Sequence, residues 1–340
     1  MRIFNIMMSR DLGGIQQAYI DYSQALKMHN HEVINISSMR AKINTLLKST
    51  YTLPNIAPWC IFSKIILRVL IAFHKPDIII CHGNRAVNFA RALRQRKSIR
   101  SLLVGVSHNY SYKHLKKCDY VIALTHELKE HLIKHGIGEK RLLSLPNMTR
   151  ITHSYNPIKY SSPIVIGALG RFVSKKGFIY LIEAFSMLKN AGYNVILLLG
   201  GDGEGRAIIE RKVKELGWEK EVIFHGWVND KDDFFKQIDI FCLPSTIEPF
   251  GIILLEAMEH SKPIVATISG GPAEIIRDGK DGLLADIESS LSLYDKLEKV
   301  IIDPRMAHKL SSNAYLRLKE KYDIKIVSNK LSTILEDIVK

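Results

Sequence analysis

Apolar residues in this chain fall into short, nearly continuous runs, separated by longer stretches in which they recur every three or four positions. The runs have the length of strands buried on both faces, and the spaced stretches have the length of helices. Residues 3–8, 32–37, 78–81, 101–106 and 120–124 read as strands, with helices over 15–29, 85–96 and 127–135. Residues 146–163, rich in Pro, Ser, Thr and Asn, read as a linker. A second alternation follows, with strands at 164–169, 194–199, 222–225, 240–243 and 264–267. Its helices lie near 180–190, 205–216, 230–237 and 251–260, and a last helix covers 324–340. This pattern predicts two doubly wound α/β domains in tandem, with ligands at the carboxyl ends of the strands and a deep cleft between the domains.

Residues 56–74 are the most apolar window, interrupted by Lys64 and Arg68. Charges four apart share one helical face, which argues against a membrane span. Two readings remain open: a half-buried domain helix, or a helix lying on a membrane surface. The apolar start before Ser9 and Arg10 reads as a first strand, not a secretory signal.

A length of 340 residues suits two domains, and 46% hydrophobic with 24% charged residues are globular values. Cys60, Cys81, Cys118 and Cys242 are widely spaced without a C-x-x-C pair, so buried reduced thiols in a cytoplasmic protein are expected. Charge changes the picture. Residues 1–160 hold 24 Lys and Arg against 8 Asp and Glu, whereas the remainder holds 24 against 26. A basic half beside a neutral one points to an anionic partner: nucleic acid, an anionic membrane surface or a phosphorylated glycolipid. Arg85, Arg91, Arg94, Arg96, Lys97 and Arg100 follow the apolar window and add to this basic surface.

Candidate chemistry centres on Ser245 to Gly271. An apolar strand, a Phe250-Gly251 turn and a helix make an anion cradle, because the first helical N–H groups are unpaired and the dipole favours negative charge. Glu256 on that helix can accept hydrogen bonds from a diol, and Glu248 lies in the loop before it. Together these features describe a nucleotide-sugar site; taken alone, the two glutamates can also be mere dipole partners. Gly170-Arg171 and Lys175-Lys176-Gly177 follow another apolar strand. Such a loop supplies a bidentate fork and a mobile point charge, although a lone basic loop is often surface decoration.

The segment resembles the donor-binding signature of retaining GT-B glycosyltransferases, family 4 (glycosyl transferases group 1). That pattern is Glu, seven residues, Glu, a strand and a Gly-Gly-x-x-Glu turn, here Glu248, Glu256 and Gly270-Gly271-Pro272-Ala273-Glu274. The resemblance spans nearly the whole chain. It implies two tandem Rossmann-like domains, residues 1–157 on the acceptor side and 158–323 on the donor side, with residues 324–340 returning to the first. It implies that Arg171 and Lys176 hold the diphosphate, that Glu248 and His108 meet the transferred sugar, and that Glu256 takes the ribose. Phe250, Gly251, Ile252 and Ile253 would form the phosphate cradle. Gly13 and Gly14 match the glycine pair after the first strand, while Gly201 and His225 match segments near the nucleotide. His82 occupies a strand end similar to that of His108, and His29-Asn30-His31 departs from the family's Gly-His-Glu-Val, with Asn30 able to take the left-handed turn.

Two other motifs are set aside. The run Gly200 to Gly205 fails the G-x-G-x-x-G spacing, with Arg206 or Ile208 where the last glycine belongs. Asp230-Lys231-Asp232 matches a metal-binding Asp-x-Asp, but reads as a helix start capped by acidic residues. No metal and no cofactor beyond the donor substrate are therefore expected. The expected function is transfer of a sugar from a nucleoside-diphosphate sugar to a glycolipid, lipopolysaccharide or polysaccharide hydroxyl, in the cytoplasm or peripherally on the membrane's inner face. Three alternatives stay open: a sugar-nucleotide epimerase of the same fold, a basic nucleic-acid or anionic-surface binding protein, and a non-catalytic partner subunit. Nucleic acid is not expected as a partner, since the basic residues lack interleaved aromatics.

Overall fold

The computed structural model describes the chain except residues 10–12, 48–49, 56–59, 95–100 and 158, and except the side chains of 50 and 92–94. Asp11 and Leu12 of the first turn, residues 56–59 of the apolar window, the Arg94 side chain, Arg96, Lys97 and Arg100 thus lie outside the described residues. The chain divides into two compact units, Met1–Arg150 with Tyr322–Lys340, and Ile151–Lys321.

The first unit runs β1 (Arg2–Met7), α1 (Gly14–Met28), β2 (Glu32–Ser38), β3 (Thr50–Leu53), α2 (Ile61–His74), β4 (Ile78–His82) and α3 (Asn84–Arg94). It continues with β5 (Leu102–Ser107), β6 (Tyr120–Ala123), α4 (His126–Lys134) and β7 (Leu142–Ser144). The second runs β8 (Ile164–Leu169), α5 (Phe178–Asn190), β9 (Val195–Gly200), α6 (Arg206–Leu216), β10 (Val222–Gly226), α7 (Lys231–Lys236), β11 (Ile240–Leu243) and α8 (Ile252–Glu259). After these come β12 (Ile264–Thr267), α9 (Gly271–Ile275), β13 (Leu283–Ala285), α10 (Ser290–Ile302) and α11 (Pro304–Lys321). A last helix, α12 (Ile324–Val339), belongs to the first unit.

Every strand pair is parallel. The sheet of the first unit has seven strands in the order β3-β2-β1-β4-β5-β6-β7, and that of the second has six in the order β10-β9-β8-β11-β12-β13. Both are the doubly wound order, in which the winding reverses between the first and fourth strands: β1 and β4 in one unit, β8 and β11 in the other. Parallel strands covered by helices must be apolar on both faces, which is why IIICH and IFCL are buried at every position. The short edge strands β3, β7 and β13, and the helices α9, α10 and α11, were not among the expected elements.

Helix α12 docks on its unit through Ile324, Val327, Leu331 and Leu335, all buried. Backbone bonds between Thr149 and residues Tyr322 and Ile324 lead it in, and Ser332 Oγ lies 2.8 Å from His31 Nε2. The expected return of the last helix is therefore found. Asn30 takes the left-handed turn before His31, at φ 58°.

Helix α2 is half-buried. Ser63, Leu67 and Ile71 face inward, while Phe62, Ile65, Ile66, Val69 and Phe73 are exposed on the opposite side, Phe62 to 68% and Phe73 to 77%. At about 100° per residue these five form one apolar stripe, with Arg68 beside its Ile65 edge and Lys64 further round toward the buried face. Among the described residues no helix is long and apolar enough to cross a membrane.

Candidate functional site

In the second unit the expected residues gather where the winding reverses. The loop after β8 carries Arg171 and a single 3-10 turn, Ser174–Lys176. Gly177 ends that turn at φ +67°, and a Cβ there would sit 1.9 Å from the Pro244 carbonyl oxygen. Only glycine lets this loop lie against the end of β11. Lys176 is thereby brought onto the loop after β11, where its Nζ is 2.5 Å from Glu248 Oε2. Thr246 N donates to the Lys175 carbonyl at 2.9 Å and fastens the two loops. Glu248 is nearly buried, with Ser245 Oγ 3.4 Å from the same oxygen, and its carbonyl accepts from Gly271 N at 2.8 Å. Arg171 and Lys175 are exposed.

Gly251 precedes α8 at φ +87° and turns the chain into the helix; no side chain caps the first N–H groups. Phe250 and Gly251 are buried, and Ile252 and Ile253 are partly exposed at the helix start. Glu256 lies one turn further along. Its Oε1 accepts from Lys231 Nζ, the first residue of α7, whereas its buried Oε2 has no hydrogen-bond partner among the described residues. A buried carboxylate oxygen without a donor is costly, and suits a site that a ligand hydroxyl completes. Lys231 is a site residue that sequence reasoning missed.

Gly201 touches the first of these loops, whereas His225 does not share that contact. A Cβ on Gly201 would lie 1.9 Å from the Gly170 carbonyl oxygen, so the glycine-rich turn packs on the loop that bears Arg171. His225 is exposed at the end of β10, where the register with β9 breaks. Asp230 caps α7, accepting from Asp233 N at 3.1 Å. Asp232, in the first turn, reaches further: its carboxylate lies 3.0 Å from His260 Nε2 and 3.6 Å from His153 Nε2. The triple is the expected helix start, with Asp230 as its cap and Asp232 in its first turn.

The first unit carries a different constellation at its own reversal. His108 follows β5, and its Nε2 is 2.9 Å from His82 Nδ1 at the end of β4. His82 Nε2 is 2.9 Å from Asn5 Oδ1 in the middle of β1. Asn5 Nδ2 donates to Asn35 Oδ1 and to the Tyr19 carbonyl, each at 3.0 Å, and Asn35 Nδ2 donates to Ser23 Oγ at 2.8 Å. These partners fix the tautomers. Asn5 Oδ1 can only accept, so His82 Nε2 bears the hydrogen and His82 Nδ1 accepts from His108 Nε2–H. His108 Nδ1 is left as a bare acceptor. Burial pushes the His108 pKa down to about 4 and that of His82 well below its usual value, with the neighbouring His108 as a second cause. Both rings are neutral near pH 7. Asn5 and Asn35 went unremarked in the sequence, although asparagines inside apolar strands are a visible signal. Gly13 precedes α1, its carbonyl accepting from Gln16 N and Gln17 N at 3.1 Å, and Gly14 is the first residue of that helix.

A family model described as Glycosyl transferases group 1 matches residues 151–317, the unit that holds Arg171, Lys176, Glu248 and Glu256. The lipopolysaccharide core biosynthesis glycosyltransferase LpsE of Rhizobium meliloti is 32% identical over 265 residues, covering 77% of this chain and 76% of that protein. The capsular polysaccharide biosynthesis glycosyltransferase CapM of Staphylococcus aureus is 21% identical over 93% of this chain and 88% of its own length. Among solved structures, Anabaena Alr3699/HepE in complex with UDP-glucose superposes with a TM-score of 0.86 at 21% identity, covering 99% of each chain, a likeness that identifies the fold as GT-B. With a relative this similar across three quarters of both lengths, the chain belongs to the glycosyl transferases group 1 family.

Proposed function

We propose that this protein moves a sugar from a nucleoside-diphosphate sugar to a hydroxyl of a glycolipid, lipopolysaccharide or polysaccharide, with retention of anomeric configuration, as in family 4. The unpartnered, buried Oε2 of Glu256 carries the reading, because a ribose hydroxyl would supply the donor it lacks. Lys176 spends one of three N–H donors on Glu248, leaving two for phosphate oxygens, and Arg171 adds a planar fork. The backbone N–H groups of Gly251, Ile252 and Ile253 offer the helix-start cradle beside Phe250. Glu248 Oε1 is placed to accept from sugar hydroxyls. On the acceptor-side unit, Gly13 and Gly14 allow close backbone approach, and neutral His108 presents an acceptor nitrogen; Gly201 and His225 line the nucleotide.

In this reaction the bond from the anomeric carbon to phosphate breaks and a bond to the acceptor oxygen forms on the same face. The acceptor's proton passes to the leaving phosphate. Charge concentrates on the diphosphate, where Lys176, held beside Glu248, and Arg171 would meet it, so the reading asks for no metal at the phosphates. The names of LpsE and CapM support a lipopolysaccharide or polysaccharide acceptor, and the UDP-glucose bound to Alr3699/HepE supports a nucleotide-sugar donor. An acceptor of that kind is held at a membrane, and the exposed stripe Phe62, Ile65, Ile66, Val69 and Phe73 with Arg68 beside it fits an anionic bilayer surface.

The test is a panel of nucleoside-diphosphate sugars with and without lipid-linked saccharide, read by NMR of the product anomer. Retained transfer only with acceptor supports the reading. Conversion of the donor alone indicates an epimerase, and nucleotide affinity unchanged in Glu256→Ala removes the ribose role. Sedimentation with phosphatidylglycerol vesicles, compared with neutral vesicles and with Phe62→Ser/Phe73→Ser, checks the membrane surface.

A further inference from the structure

Three side chains in the second unit meet away from the Lys176–Glu248 pair. His153 comes from the extended segment before β8, Asp232 from the first turn of α7, and His260 from the end of α8. One ligand atom from each lies within 4.8 Å of the others. Asp232 Oδ1 is 3.0 Å from His260 Nε2, and Asp232 Oδ2 is 3.6 Å from His153 Nε2.

The far nitrogens decide the tautomers. His260 Nδ1 is 2.8 Å from the Glu256 carbonyl oxygen, which can only accept, so Nδ1 carries a hydrogen. His153 Nδ1 is 3.3 Å from Glu259 Oε1 and 3.2 Å from Thr152 Oγ1. The Thr152 hydroxyl donates to that same carboxylate at 2.8 Å, so both neighbours of His153 Nδ1 accept and it too carries the hydrogen. Glu259 is buried and held further by the backbone N–H groups of Thr152 at 2.6 Å and His153 at 3.3 Å. With hydrogens on both Nδ1 atoms, the Nε2 atoms of the two rings face the two oxygens of one carboxylate. Such a cluster holds together through positive charge between nitrogen and oxygen, either protons on the Nε2 atoms or one bound cation.

We propose that His153, Asp232 and His260 bind one divalent transition cation of the zinc class through both Nε2 atoms and the Asp232 carboxylate. A tetrahedral zinc with bonds of about 2.0–2.1 Å sets its ligand atoms roughly 3.3–3.5 Å apart, and the two Asp232 distances, one to each carboxylate oxygen, lie on either side of that span. Imidazole with carboxylate suits zinc, nickel or copper over magnesium or calcium. The outer partners are of the kind that fix metal-bound histidines: a backbone carbonyl behind His260 and a buried carboxylate behind His153. Phe235 stacks on His260 at 4.6 Å with planes 19° apart and holds the ring. Asp232 is exposed and His153 partly so, which gives the ion an entry path. The bound cation fastens α7 to α8, next to the Lys231–Glu256 pair. Its role is to brace the helix that presents Glu256, and it takes no part at the diphosphate.

The experiment uses the untagged, full-length protein, stripped with chelator, titrated with zinc chloride against a chromophoric competitor. A cobalt(II) absorption spectrum reports coordination number. One equivalent per wild-type chain with a four-coordinate cobalt spectrum is expected. Affinity should fall more than about 100-fold in His153→Ala and Asp232→Asn, and about 10- to 100-fold in Glu259→Gln. His153 and Asp232 lie toward solvent, so their variants keep the test open if His260→Ala, which loses the Phe235 stack, does not fold. Melting temperatures in chelator that match wild type establish that the variants are folded. Zinc bound equally by wild type and His153→Ala, or less than one equivalent in wild type, overturns the proposal and leaves protonated imidazoles paired with Asp232. Either result leaves the donor-site reading where it stands, because that is tested by nucleotide affinity.

Discussion

The two units wind their sheets in the same order, yet the chemistry at their reversal points is opposite. In the first, His108, His82, Asn5 and Asn35 form a neutral relay that runs from the end of β5 into the strands and is kept uncharged by burial. In the second, Lys176–Glu248 and Lys231–Glu256 set full charges against each other in the loops and helices that follow the strands. The topology places a site and leaves its character to the residues at the strand ends. A neutral relay cannot tolerate a proton; a charged pair cannot tolerate the loss of its partner.

The largest effect should follow from removing charge in the second unit. Lys176→Ala is expected to lower turnover about 100- to 1000-fold, the scale for losing one preorganised group that stabilises a leaving charge. It also leaves nearly buried Glu248 unpaired, so it should destabilise the fold. Lys176→Ala/Glu248→Gln separates the two effects: melting temperature should recover while turnover does not. Steady-state kinetics beside calorimetric melting checks both. Glu256→Gln should act on binding, weakening a nucleoside diphosphate by about 10- to 100-fold, equivalent to one hydrogen bond to a charged group. Its 2′,3′-dideoxy counterpart should bind wild type and variant alike by isothermal titration.

The first unit should respond to pH instead. The unfolded His108 titrates near 6.5 and the folded one at about 4, so the unfolded chain binds more protons between those values. Stability is then full above pH 6.5 and is lost as pH falls toward 4. By pH 5 this one group costs about 2 kcal/mol relative to neutral pH. His108→Gln should lose that much less on acidification from pH 7.5 to 5, measured by urea unfolding at each pH. An equal loss in both proteins would remove His108 as the source.

Much of this contrast was legible in the residues. Glu248 and Glu256 sit eight positions apart around a glycine turn, and local spacing of that kind survives folding as geometry. Arg171 and Lys176 follow an apolar strand, so their loop had to emerge at the strand's carboxyl end. The Lys231–Glu256 pair was not legible, because it joins residues 25 positions apart on two helices whose packing no local pattern reveals. His153, Asp232 and His260 escaped for the same reason. Asn5 was within reach: a polar residue amid RIFNIM implies a buried partner. The edge strands TYTL and LLA are too short to carry a period. For α2 the two charges on one face were visible, but the narrowness of its inward face, Ser63, Leu67 and Ile71, was not, since that depends on what packs against the helix.

The smallest effects sharpen the comparison at two helix starts. Thr125 caps α4 in the first unit through a hydroxyl that accepts from Leu128 N at 3.2 Å, and Asp230 caps α7 in the second through a carboxylate. Thr125→Ala and Asp230→Ala should each cost about 1 kcal/mol. Only the second cost should shrink in high salt, because a carboxylate also interacts with the helix dipole and a hydroxyl carries no charge to screen. Urea midpoints at low and high ionic strength check this, with Asp230→Asn expected to recover the cap but not its salt dependence. Asp230→Ala should also leave zinc affinity unchanged where Asp232→Asn does not, since only Asp232 faces the two histidines. If both substitutions weaken zinc alike, the acidic start of α7 acts as one diffuse field, and the distinction between its capping and its coordinating carboxylate fails.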